Sequence, residues 1–141
     1  MKSVKILEFN GKEAGWDMWS RKFQAIATIR GYKSVLLGNE TPPTADKDLT
    51  TIIDTADRAF QKKLRAGNES GYRDLLLAMK NQTEFNIISQ ATSEALPDGD
   101  LKLAWDNIKD EFKPETGNEY VQLEGEFYKA SLDDKKMSVT A

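Results

Sequence analysis

The chain has 141 residues, 39% hydrophobic and 30% charged, with a formal net charge of -3. That length suits one domain with a core of its own, and the acidic balance, with a pI of about 5.1, argues against a fold that grips nucleic acid by neutralising phosphates. The sequence contains no cysteine and no histidine, which excludes disulfides, thiolate and imidazole metal ligands, cysteine nucleophiles and serine–histidine triads.

No stretch is long and apolar enough to cross a bilayer, and Met1-Lys2-Ser3-Val4-Lys5 leads into a mixed segment rather than a signal peptide. The chain therefore reads as intracellular, with no membrane partner. The triplets at Asn39, Asn68 and Asn81 that match a glycosylation pattern are read as helix-boundary residues.

In chain order, Ser3 to Phe9 alternates only in part and is extended at most, closed by an Asn10-Gly11 turn. From about Gly15 to Arg30 the pattern is helical. Trp16, Trp19, Phe23, Ile26 and Ala27 recur at steps of three and four and share one face. Asp17, Ser20, Arg21, Gln24 and Thr28 fall on the opposite, solvated side. Met18, Ala25 and Ile29 belong to neither set and form a second, narrower apolar stripe beside Lys22. Either another helix of the domain covers that stripe, or it stays exposed as a subunit contact. Gly31 supplies a stop, Tyr32 to Leu37 forms one or two more turns ended by Gly38, and the Pro42-Pro43 region is a loop.

Asp48 is expected to cap the next helix, with Leu49, Ile52, Ile53, Ala56, Phe60 and Leu64 as the cleanest amphipathic stripe in the sequence. Gly67 is expected to end it, and Ser70 to open another helix with Tyr72, Leu75, Leu76 and Met79 on one face. Lys80 to Thr83 is a break or a continuation, and Phe85, Ile88, Ala95 and Leu96 carry on an apolar face in either case. Pro97-Asp98-Gly99 is a stop, after which Asp100 caps a helix bearing Leu101, Ala104, Trp105, Ile108 and Phe112. Beyond Pro114, Thr116 is placed to cap a last helix with Tyr120, Leu123, Phe127 and Ala130 on one face. Leu132 to Lys136 is a charged linker, and Ser138 to Ala141 resembles the first turn of a further helix. Residues 1–131 thus form one helical domain, and 132–141 a linker and the truncated start of another. With no strand-like runs joined by hairpin turns, the fold class is all-α, a compact bundle of about five to seven helices.

Chemistry-bearing motifs are scarce. The glycines make no phosphate-cradling loop. Asp98-Gly99-Asp100 lacks the spaced ligands of a calcium loop and is explained by a turn and a cap. Asp106 with Asp110, and Glu111 with Glu115, read as solvated helix faces. Lys62, Lys63 and Arg65, and again Lys135 and Lys136, are basic clusters with acidic neighbours, and no exposed aromatics interleave them as a stacking platform requires. Trp16, Trp19, Phe23, Phe60, Trp105, Phe112, Phe127 and Tyr128 are assigned to the interior. No residue is assigned to catalysis, a cofactor or a metal, and the expectation is a non-enzymatic protein.

One pattern rises above this background. Phe9-Asn10-Gly11, Trp16, Trp19 and Phe23 resemble the opening of copia-type retrotransposon Gag proteins. Gly31 to Gly38 is similar to that family's next feature, a short helix ending in glycine. Ala104-Trp105-Asp106-Asn107-Ile108 followed by Phe112 is similar to its alanine–tryptophan helix, and Gln122-Leu123 to Phe127-Tyr128 to the helix after that. Ser138-Val139 resembles the start of the second half of the capsid. Two departures stand out: Lys12-Glu13-Ala14-Gly15 intervenes between the glycine and the first aromatic, and Thr44 to Asn68 is long for the family.

The resemblance implies a capsid N-terminal domain whose motif core is Phe9, Gly11, Trp16, Trp19, Phe23, Trp105 and Phe112. It implies a structural role in the cytoplasm: self-assembly into virus-like particles, with element RNA packaged through a downstream basic or zinc-knuckle segment absent from this chain. A domesticated Gag would carry the same pattern. The alternative is a non-enzymatic helical interaction or adaptor domain that binds a partner helix in a groove. A third reading, an enzyme using Asp, Glu, Lys or Tyr, requires a deep pocket holding a strongly shifted carboxylate.

Overall fold

The structure, a computed structural model, describes residues 5–113. It is all-α, with helices α1 (Glu13–Arg30), α2 (Lys33–Leu36), α3 (Thr55–Ala78), α4 (Gln82–Ser89) and α5 (Leu101–Phe112), and a 3-10 turn at Leu49–Thr51 before α3. The expected last helix from Thr116 and the linker at 132–141 lie outside the described residues. None of the described helices is long and apolar enough to cross a membrane.

Helix α1 buries Trp16, Trp19, Phe23, Ile26 and Ala27, the face that the three- and four-residue spacing defines. Ser20, expected in solvent, is buried as well, because it follows Trp19 on the flank of that face and turns its hydroxyl onto the Asp17 carbonyl at 3.1 Å. Gly31 ends the helix at φ 87°, and its amide donates back to Ala27 and Thr28. That left-handed geometry disfavours any residue with a Cβ.

The largest departure from the sequence pattern is α3. Asp48 caps only the 3-10 turn, accepting from the Thr50 amide at 3.0 Å, and Asp54 caps α3 itself. The link from Ile52 to Asp54 is extended at both ends, so Ile53 does not join a helical stripe. From Thr55 a single helix runs through both Gly67 and Gly71 to Ala78. These glycines admit neighbours rather than end helices. A Cβ on Gly67 would sit 3.1 Å from the Tyr32 Cβ, and one on Gly71 would collide with Leu101 and with the Tyr32 ring, 2.8 Å away. Helix packing at that closeness outweighs the roughly 1 kcal/mol each glycine costs in a helix interior.

The chain breaks at Lys80-Asn81, as one of the two readings had it, and α4 follows. Ala95 is exposed in the loop before α5 rather than on a continued apolar face. Asp100 caps α5, accepting from the Leu103 amide at 3.2 Å. The core gathers Phe9, the α1 face, Tyr32, Val35 and Leu36, the distal half of α3, Ile88 and the inner face of α5. Phe9 enters from the N-terminal segment, where its amide donates to the Ala78 carbonyl at 2.8 Å and it forms an isolated parallel bridge with Met79.

Candidate functional site

The described aromatics of the motif meet in one place, while Gln122 to Tyr128 and Ser138-Val139 lie outside the described residues. Trp105 on α5 lies 5.6 Å from Trp16 and 5.7 Å from Phe23 between ring centres. Phe9 packs at 5.0 Å against both Trp19 and Phe112. The buried Trp19 indole donates its N–H to the Leu7 carbonyl at 2.8 Å, which fastens the N-terminal segment to α1. Gly11, at φ 77°, turns the chain against Glu84, which leaves no room for a Cβ. Glu84 is buried and accepts from the Asn81 amide group at 2.8 Å. Phe9, the three tryptophans, Phe23 and Glu84 are buried, Phe112 packs partly buried against them, and Phe9 and Trp19 also border a surface groove. Phe60 alone of the described aromatics assigned to the interior is not there: it is 42% exposed, since α3 has left the core at that point.

The second α1 stripe faces outward. Met18 is 65% and Ile29 49% exposed, with Ala25 exposed between them. A shallow groove of about 370 Å³ adjoins its Met18 end, between the N-terminal segment and α1, lined by Leu7, Phe9, Ala14, Met18, Trp19 and Lys22. A larger cleft of about 520 Å³ lies along α3, with Arg65, Tyr72, Arg73, Leu96 and Asp98 among its walls. Burial raises the Tyr72 phenol above its ordinary range, and its hydroxyl donates to the Ile88 carbonyl at 2.7 Å, a structural tie. The Asp48 carboxyl is held below its ordinary range by hydrogen bonds from the Thr50 hydroxyl and amide, in an exposed turn outside this cleft. No group of three potential acidic metal ligands occurs among the described residues.

Two buried polar nodes emerge from the packing: Asp74, which the sequence did not single out, and Asn68, expected at a helix boundary but buried in the interior of α3. Asp74 Oδ2 accepts from Arg30 Nε at 2.6 Å and from the Tyr32 hydroxyl at 2.9 Å. Burial, then the Asp74 charge, pushes the Tyr32 phenol well above its ordinary range. Asn68 donates to the Gly99 carbonyl and accepts from the Leu101 amide, both at 2.9 Å, so it fixes the loop that launches α5. The signal for Asp74 was present, as it sits three residues after Gly71 and four before Ala78 on the core face of α3. Asn68 and Gly99 also line the cleft along α3, but the Asn68 amide is engaged on both sides by the loop before α5, and both nodes read as ties between elements.

No family model matches the chain, and neither a curated protein nor a solved structure matches it.

Proposed function

We propose that the chain is a structural capsid domain of the copia Gag type, or a domesticated Gag, that acts through self-association. The observation that carries this reading is the exposed stripe Met18, Ala25, Ile29 on α1. Methionine and alanine adapt well to close helix packing, and exposed apolar residues grouped on one helix face, here beside Arg21 and Lys22, mark a contact surface. The other face of α1 packs into the aromatic cluster, so the helix is a rigid mount for such a contact. Element RNA would be held elsewhere in the longer Gag, and the particles would lie in the cytoplasm.

The experiment replaces Met18 with Gln and Ile29 with Lys in the full reading frame, followed by electron microscopy and sedimentation of the expressed protein. The wild type forms regular particles, and the double variant loses them while its circular dichroism is unchanged and its melting temperature stays within a few degrees, as exposed substitutions allow. A collapse in melting temperature instead assigns the stripe to the core of the longer protein. Absence of particles from the wild type favours the adaptor reading, for which the groove at Leu7, Phe9, Met18 and Trp19 is the natural seat of a partner helix.

A further inference from the structure

The first half of α3 is a helix without a core. Every residue from Thr55 to Lys63 is exposed or only partly covered, and burial begins at Leu64. Ala56, Phe60 and Lys63 continue, at steps of four and three, the same face that carries the buried Gly71, Asp74 and Ala78 further along. The core-facing side of α3 therefore runs on past the end of the core for nine residues, about 13 Å at 1.5 Å per residue. Phe60 is 42% exposed, Ile53 at the foot of the helix is 92% exposed, and Ala56 and Ala59 lie between them in solvent. The Arg58 guanidinium, donating to the Ile52 carbonyl at 2.9 and 2.7 Å, holds the preceding segment beside the helix and leaves this face open.

We propose that this face is a two-fold contact with a second copy of the chain, the two α3 helices running antiparallel. The charge order along the helix selects that partner. Asp54 and Asp57 occupy its start, and Lys62 and Lys63 lie two turns on. An antiparallel mate sets the acidic start of each copy alongside the basic stretch of the other and opposes the helix dipoles, whereas a parallel mate sets acid on acid. The alternation of sizes is self-complementary as well: a two-fold near Arg58 lays Phe60 of each copy over Ala56 and Ala59 of its mate. In such an isologous contact each substitution acts twice. The surface is separate from the α1 stripe, and it requires nothing of the Gag reading.

The test is sedimentation equilibrium of the intact chain at low salt, where exposed charges are least screened, over micromolar to submillimolar concentrations. The wild type is expected to dimerise. Phe60→Asp is expected to weaken the dimer by about tenfold or more with no loss of melting temperature. Asp57→Lys and the double variant Lys62→Glu/Lys63→Glu should each self-associate more weakly than wild type, and their equimolar mixture more tightly than either. Asp54 is left intact because it caps the helix. The Met18/Ile29 variant keeps this dimer, so the two contacts fail separately. A wild type that stays monomeric overturns the proposal, as does a Phe60→Asp dimer of unchanged strength or a mixture no tighter than its components. A Phe60→Asp chain that loses its melting transition also overturns it, because the face is then covered by the chain's own residues.

Discussion

Asp74 takes two donors on one oxygen, Arg30 from the end of α1 and Tyr32 from the start of α2. This one carboxylate thereby fixes the corner between those helices against α3. Removing a partner from a buried ion pair costs about 3–5 kcal/mol, so Asp74→Ala is expected to lower stability by that order in urea denaturation. Tyr32→Phe keeps the packing and loses one hydrogen bond to a charge, about 1.5–3 kcal/mol. Its pH dependence is the sharper test. In the unfolded chain the phenol ionises near its ordinary value of about 10, while burial and Asp74 keep it protonated in the fold beyond that. Above pH 10 the native state thus binds more protons than the unfolded one, so stability falls as pH rises. The contribution is fully present below the unfolded value. Tyr32→Phe should flatten the alkaline decline, leaving the smaller share of Tyr72, whose phenol burial also raises.

At the scale of elements, α3 is where local rules and packing disagree. Gly67 and Gly71 look like punctuation in a linear reading, yet the helix runs through both. The two accounts predict opposite signs for Gly71→Ala. If the glycine were a tolerated flaw in an exposed helix, alanine would stabilise by up to about 1 kcal/mol. Because a Cβ there collides with Leu101 and crowds the Tyr32 ring, the expected result is a loss of about 1–3 kcal/mol, read from the shift of the denaturation midpoint. The α1 and α5 faces were legible from spacing because each helix buries one continuous stripe along its length. The stripe assigned across Leu49 to Leu64 was not, because its first part is a 3-10 turn and an extended link and its second projects beyond the core. Periodicity reports that a face is apolar and is silent on what covers it.

For the molecule as a whole, charge bears on its dealings with nucleic acid. The chain carries 20 basic and 23 acidic residues, and its largest aromatics, Trp16, Trp19, Phe23 and Trp105, are buried among one another rather than exposed for bases to stack on. Titration with short single-stranded RNA at physiological salt is therefore expected to give only non-specific binding, with Kd on the order of 10⁻⁴–10⁻⁶ M. Tight or sequence-selective binding would show that an RNA site lies within this chain. The α1 stripe and the projecting half of α3 are two separate surfaces of this chain, each with large apolar side chains exposed.

The sequence alone determined the helical class, the two tryptophan-bearing core faces, the Gly31 stop and the Asp100 cap. Each follows from spacing or backbone preference within a few residues, and local physics decides it. Tertiary structure alone decided that Gly67 and Gly71 are contact points, that Asp74, Asn68 and Glu84 are buried ties, and that Phe60 and Ile53 stand in solvent while Leu64 does not. Those outcomes depend on which distant residue arrives alongside: Tyr32 and Leu101 at the glycines, Arg30 at Asp74, and too little among the described residues to bury Phe60. A residue's type sets what its burial or exposure costs, but only the approach of other elements sets whether it is buried.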